Sequence, residues 1–517
     1  MAISFSSIPS NWKQPLYWVE IDPSQAGLPV FPQPALLVGQ MLSTGTAAPN
    51  VPIPCQSPAL ADSLFGLGSH LAAVAKAFFK VNASQLVWCL PVSDPTGAVA
   101  TGTITVATPP SQAGQLDLYI GGKHVPVIVS ATDTVATVAT NIQAAIQANV
   151  NNDLVVTAPA PAGAVVTVNC RFKGVVGNDI RMQDSYYSGF GGEQLPTGLT
   201  LTYSGPTLAG GTGVPVFTTA ISNMGEMDAE YVCLPWTDST TLLAWTTEFG
   251  FSDSGRWGWM RQKFGSIWSA MRGTYANLLS FSTTSNSAQL SVLGVETLAP
   301  SPVFEWAAAY CGKAARGFTN DPARPLQSLH LDGILPAKLN NRFLMTELNG
   351  LALNGIGTQR TEADNVPMIA RETTMYQLNL YGYSDDAYTD ATTLATLARL
   401  LRNQRQAITS KYPRHKLADD GTRFGAGQAI ITPIGIKAEL VAQYRVDEFN
   451  GLVENADAYI ANLIVERDTN DPTRVNVLYP PDLVNGMRLF AVLAQFRLQF
   501  DRGVDTTQVT NQIGTIG

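Results

Sequence analysis

AEYVCLPW (229–236), STTLLAWTTEFG (239–250), GSIWSAM (265–271), TYANLLSFSTT (274–284), QLSVLGVE (289–296) and SPVFEWAAAYCGKAARG (301–317) follow one another along the chain. The first, third and fifth read as short strands. The second, fourth and sixth read as helices. Strand–helix alternation of this kind predicts an α/β layer around a largely parallel sheet, because parallel neighbours need a crossover helix between them. At 517 residues the chain is long enough for about three domains and more than one core.

Upstream, LADSLFGLGSHLAAVAKAFFKV has apolar residues at helical spacing and predicts one helix over 59–80. QLVWCLPV (85–92) predicts a buried strand. At about residue 99 the composition shifts, and as far as 213 charge is sparse while Val, Thr, Ala and Gly dominate. GTITVAT, LDLYIGG, KHVPVIVS, DLVVTAPA and AVVTVNCRF predict strands there, with one helix capped by Thr132 or Asp133 and running through Ala148. This segment reads as a β-rich insertion leaving through the Gly-rich stretch Gly205–Gly213.

Near the N-terminus, PLYWVEID (15–22) places Tyr17, Val19 and Ile21 on one face of a strand, between a polar arm and a Pro-rich stretch that runs through Pro58. Downstream, a long helix over 390–412 gathers Leu394, Leu397, Leu400 and Leu401 on one side. A second helix is predicted over 446–463, followed by short strands in VERD and RVNVLYPP. The last strand, 488–500, places Phe490, Val492, Ala494, Phe496, Leu498 and Phe500 on one face, with the other face ending in Gln495, Arg497 and Gln499, and a polar tail 501–517 follows.

Charged residues make up 14% of the chain and the formal net charge is −8, which argues against nucleic acid as the main partner because phosphate binding needs clustered Lys and Arg. Arg399, Arg402 and Arg405 share a helix face and read as a solvated surface or a subunit contact. Few charges also make a surface easier to bury against copies of itself. Cys55, Cys89, Cys170, Cys233 and Cys311 are odd in number, widely spaced and without a CxxC, so buried thiols are expected rather than a disulfide framework or a zinc site. No signal peptide and no membrane span is expected, which points to a reducing cytoplasm during synthesis.

The search for chemistry finds little. His70, His124, His330 and His415 lie in unrelated contexts and read as structural. GFSDSG (250–255) is not a nucleophile elbow, and GLGSHL (66–71) lacks the last Gly of a dinucleotide fingerprint. Asp385–Asp386 and Asp419–Asp420 read as turn residues. No catalytic residue, cofactor or metal is expected. The most charged short segment holds Glu466, Arg467, Asp468, Asp471 and Arg474. It reads either as a hairpin laced with local ion pairs or as an intersubunit charge contact.

The segment GLVENADAYIANLIVERDTNDPTRVNVLYPPDLVNGMRLFAVLAQFRL, starting at Gly451, resembles the C-terminal signature of Mu-like contractile tail sheath proteins. The matching positions are Val453–Asn455, Val465–Asp468, Asp471, Pro472, Arg474–Leu478 and Pro480–Asn485. FSSIPSNWKQPLYWVEID (5–22) resembles the family's opening segment, departing from it at Trp12 and Leu16. KLADDGTRFGAGQAIITP (416–433) and the KG..GNDI turn (173–180) are further similarities, so the resemblance runs from end to end.

The resemblance implies a mixed α/β multidomain subunit whose core is built from both chain ends, with terminal strands exchanged between subunits. The implied organisation is an N-terminal arm and first part of the core (1–98), an inserted outer domain (99–213), an α/β domain (214–390), a C-terminal sheath core (391–500) and a tail (501–517). It implies hexameric rings stacked helically around a tail tube, contraction that drives the tube through a bacterial envelope, and a place in the virion. The implied partners are further copies of the chain, the tube protein, and baseplate and tail terminator proteins, with no nucleic acid and no membrane insertion. Tyr17, Val19 and Ile21 are then expected in one exchanged strand, and Phe490, Val492, Phe496 and Leu498 in the other. Three alternatives stay open: the sheath of a phage-derived injection device, separable by genome context; a hydrolase, which would show a concave acidic or nucleophilic pocket; and a β-rich adhesin, whose insertion would bind glycans.

Overall fold

A computed structural model describes residues 33–149, 154–188, 191–496 and 498. The expected strand carrying Tyr17, Val19 and Ile21 lies outside the described residues.

The centre of the molecule is a six-stranded sheet in the order Leu290–Glu296, Ser266–Gly273, Tyr231–Cys233, Ala35–Gln40, Val87–Val92, Ile53–Pro54. The first five are parallel and the last is antiparallel. All seven residues of Leu290–Glu296 are buried, as expected of a parallel strand with both faces covered. The helices His70–Val81 and Val303–Asn320 pack on each other and on this sheet. The strand Ala35–Gln40 escaped the sequence reading, which took its surroundings as a Pro-rich connector; six apolar-flanked residues between prolines are too short a window to show a period. Its Gly39 is required, because a Cβ there would lie 2.8 Å from the Cα of Leu71 in the overlying helix.

The helix expected over 59–80 is two helices, Pro58–Phe65 and His70–Val81. Gly66 and Gly68, at φ +89° and +72°, break it, and Ser69 starts the second half by accepting from the Ala72 N–H at 3.1 Å.

Between Val92 and Tyr231 the chain builds two antiparallel sheets. One has the order Thr200–Tyr203, Val99–Thr108, Val165–Lys173, Val156–Thr157, and the other Lys123–Val129, Gly114–Ile120, Met182–Asp184. The helix Val135–Asn149 packs against strands of both. Its cap is Thr134, whose Oγ1 accepts from the Thr137 N–H at 3.2 Å, and neither Thr132 nor Asp133 does this. The GNDI turn ties these sheets to the central one. Asn178 exchanges two 2.8 Å hydrogen bonds with the Gly211 backbone, while Asp179 pairs with Arg272 and accepts from the Val303 N–H at the start of a helix.

The C-terminal part has its own apolar cluster, which includes Leu400, Ile436, Leu440, Tyr444, Leu452, Tyr459 and Leu463. It is formed by the helices Ala391–Lys411, Pro433–Phe449 and Ala456–Asn462 and the hairpin Ile464–Arg467/Val475–Leu478. The helix expected over 446–463 is therefore the end of one helix, a turn, and a second helix. Gly451 and Asn455 adopt positive φ of +73° and +56° in that turn, where a helix cannot continue. Among the described residues, no helix is long and apolar enough to cross a membrane.

The segment 485–517 forms a unit of its own. Of the strand expected over 488–500, the described residues form none, since 486–496 have no regular structure, and Arg497, Gln499 and Phe500 lie outside the described residues. The period-2 pattern is present, but a strand needs a neighbour for its backbone groups, and no paired strand is present among the described residues of this unit.

Candidate assembly surface

The hairpin Ile464–Arg467/Val475–Leu478 is a two-stranded sheet, and no third strand joins either edge among the described residues. Such a ribbon is marginal alone. It is held by packing of Val465, Val475 and Tyr479 against the C-terminal cluster. Cross-strand partners Ile464 and Leu478 stay 52% and 59% exposed. Next to the hairpin lies a cleft of about 940 Å³, lined by Trp257, Phe264, Leu401, Ile408, Ile436, Leu440, Val475 and Val477 among others.

The charged turn closes the hairpin by local bonds. Asp468 accepts from the Asn476 side chain and from the Asn470 and Asp471 N–H groups, and these donors hold its carboxyl down at about 2. Asp471 accepts from Thr473, which also lowers its pKa. Arg474 lies 3.9 Å from Asp468 and donates to Asn476. Arg467 donates to the Pro472 carbonyl and pairs with Asp419 at 2.9 Å. Glu466 is exposed on the outer strand. Four of the five charged residues singled out in the sequence are thus engaged within the hairpin and with the 416–433 loop.

Two of the three arginines in the row are engaged within the subunit, while Arg405 is exposed. Arg402 makes a bidentate pair with buried Glu230 and stacks over Phe264, while Arg399 donates to the Thr319 carbonyl at 3.2 Å. Spacing on a helix could not show that an acid 172 residues away in sequence would meet this face.

In the separate C-terminal unit, Phe490, Val492, Phe496 and Leu498 are 83%, 68%, 84% and 97% exposed. Leaving a large apolar side chain in water forgoes about 1.5–3 kcal/mol each. Spaced two and four residues apart, these four leave an apolar face without cover.

Over 501 residues the chain is 38% identical to the Mu-like prophage FluMu tail sheath protein of Haemophilus influenzae, covering 96% of this chain and all of that one. The chain belongs to the Mu-like tail sheath family. The family profile "Phage tail sheath C-terminal domain" matches residues 383–497. Among solved structures, the sheath tail protein of Desulfitobacterium hafniense aligns over 91% of this chain and 97% of its own at 10% identity and TM-score 0.46. That of Listeria innocua aligns over 88% and 92% at 12% identity and TM-score 0.47.

The signature residues of this sheath protein can now be given physical roles. The VEN and PPDLVN halves are bonded to each other: Asn455 donates to Asp482 at 2.7 Å, the Glu454 N–H donates to the Asp482 carbonyl at 2.9 Å, and Val453 bridges to Leu483. The Tyr444 hydroxyl donates to the Glu454 carbonyl and accepts from the Asp482 N–H, and its ring stacks on Tyr459 at 3.7 Å. The two halves frame the hairpin and fix where the chain leaves it.

Proposed function

We propose that this chain is the repeating subunit of a contractile phage tail sheath, in which hexameric rings stack around the tail tube and shorten to drive it through a bacterial envelope. In this reading the virion is its place of action. The tube, baseplate and tail terminator proteins are its partners. The exposed alternation at Phe490, Val492, Phe496 and Leu498 carries the reading. A donated strand satisfies its backbone on the edge of another copy and buries one face, and an open two-stranded hairpin above an apolar cleft suits such a strand. Tyr17, Val19 and Ile21 have the same alternation for a second donated strand. The bonded signature halves would keep each acceptor hairpin rigid while the linkers beside the donated strands let neighbours rotate.

Electron microscopy and sedimentation of the purified chain test this. Full-length protein at high concentration is expected to form hollow tubes or stacked rings, and a version ending at Val484 is expected to stay a folded single chain. Tubes formed by the truncated protein would remove the C-terminal strand from the mechanism. Full-length protein that remains single even with its tube protein would overturn the sheath reading.

A further inference from the structure

We propose that Asp117, His124 and Glu193 form a binding site for one divalent first-row transition-metal cation at the root of the inserted sheets. One ligand atom from each lies within 4.8 Å of the others. The hairpin Gly114–Ile120/Lys123–Val129 sets two of them: Tyr119 and His124 are direct cross-strand partners, and Asp117 shares the face of Tyr119 two residues earlier. The His124 Nε2 lies 2.8 Å from Asp117 Oδ1, a hydrogen bond that a cation held by both atoms would replace. A cation bound at about 2.0–2.2 Å from N and O ligands would set His124 and Asp117 about 3–3.5 Å apart and draw Glu193 in to share it.

Charge argues for an occupant. Two carboxylates converge on one imidazole, and no Lys or Arg forms an ion pair with either among the described residues. Even a protonated His124 would leave the cluster negative. The carboxylates are held from behind by neutral donors. Gln115 Nε2 donates to Asp117 at 2.6 Å, the Tyr119 hydroxyl donates to Glu193 Oε1 at 2.6 Å, and the Tyr187 N–H donates to Glu193 Oε2 at 2.8 Å. Such outer donors orient ligating carboxylates. Mixed imidazole and carboxylate donors suit zinc, cobalt or manganese.

The site has a mechanical consequence. Next to Tyr187, Tyr186 donates to the Pro336 carbonyl at 2.8 Å and accepts from Asn365, and Lys338 donates to the Ser185 carbonyl. A cation held by Glu193 would add a link between the hairpin Gly114–Ile120/Lys123–Val129 and the Tyr187 N–H, beside these contacts with the α/β body.

The test is calorimetric titration of tag-free full-length protein with Zn²⁺, paired with the visible absorption of the Co²⁺ form. One equivalent per chain is expected, with affinity lowered at least tenfold in His124→Ala and in Glu193→Gln. Thermal unfolding without metal should match the unsubstituted chain, which separates lost ligands from lost folding. Zn²⁺ should raise the melting temperature of the unsubstituted protein alone. Absence of saturable binding, or one equivalent retained by both variants, would overturn the site.

Discussion

The strand Leu290–Glu296 and the segment 488–498 are both rich in apolar residues, yet their fates are opposite. The first is a nearly continuous apolar run, buried along its whole length between parallel neighbours and helices. The second is apolar from Leu489 to Ala494 and alternates with polar residues only from Gln495 on, and its described residues are left in water without a strand partner. A continuous run needs two covering layers, which one chain can supply by crossover connections. A segment left uncovered needs an apolar layer and an edge to pair with, and an edge can come from another molecule. Cover from the rest of the subunit, and not apolar content, is therefore what separates the two segments.

Paired truncations break or sharpen this contrast. Trp268, fully buried against Tyr310 at 4.8 Å, should lose about 3–5 kcal/mol of stability as Trp268→Ala, read by chemical denaturation. Phe490→Ala should leave the single chain within about 0.5 kcal/mol of the original while sharply lowering tube yield. Equal losses of stability in both would mean that 488–498 belongs to the subunit's own core.

A second contrast is between buried and exposed polar groups. His70 sits wholly buried among Phe172, Trp236 and Phe304, with its Nδ1 accepting from the Gln40 N–H at 3.2 Å, and burial lowers its pKa from 6.5 to about 3. A depressed imidazole pKa means the unfolded chain takes up the proton first. Its contribution is complete above pH 6.5 and is lost as pH falls toward 3. About 2 kcal/mol should disappear between pH 7 and 5. His70→Leu should flatten that pH dependence in denaturation curves, whatever its effect at pH 7. An unchanged slope would place the acid sensitivity elsewhere.

The smallest effect is expected at the hairpin turn. Arg467→Ala removes an exposed pair with Asp419 and should cost the single chain about 0–1 kcal/mol. If tube yield falls far more than stability does, Arg467 also acts between subunits. If the two fall together, its role is local.

Much of the architecture was legible because it is written in short-range periods. The strands at 231–233, 266–273 and 290–296 and the helices between them stand where alternation placed them. The breaks were harder to read. Gly66, Gly68, Gly451 and Asn455 end helices through backbone conformation, which an apolar pattern running across them conceals. The strand Ala35–Gln40 was hidden by its prolines, although it sits inside the central sheet. The charged residues 466–474 were visible, with a locally paired hairpin as one reading, but the pairing of Arg467 with Asp419 in the 416–433 loop was not. Of the proposed cation ligands, Asp117 and His124 are seven residues apart on facing strands, and Glu193 joins them only through the fold. No spacing motif covers that set.

By itself the sequence determined the mixed α/β character, the buried thiols, the signature that marks a tail sheath protein and the alternating C-terminal segment, because each depends on composition or on neighbours within a few residues. Only the tertiary structure decided that Arg402 is matched by Glu230, that Asp179 locks the inserted sheets to the body, and that two carboxylates and an imidazole converge at the insertion's root. These pairings join residues far apart in the chain, and their free energy depends on burial and distance, which exist only once the sheets and helices have packed.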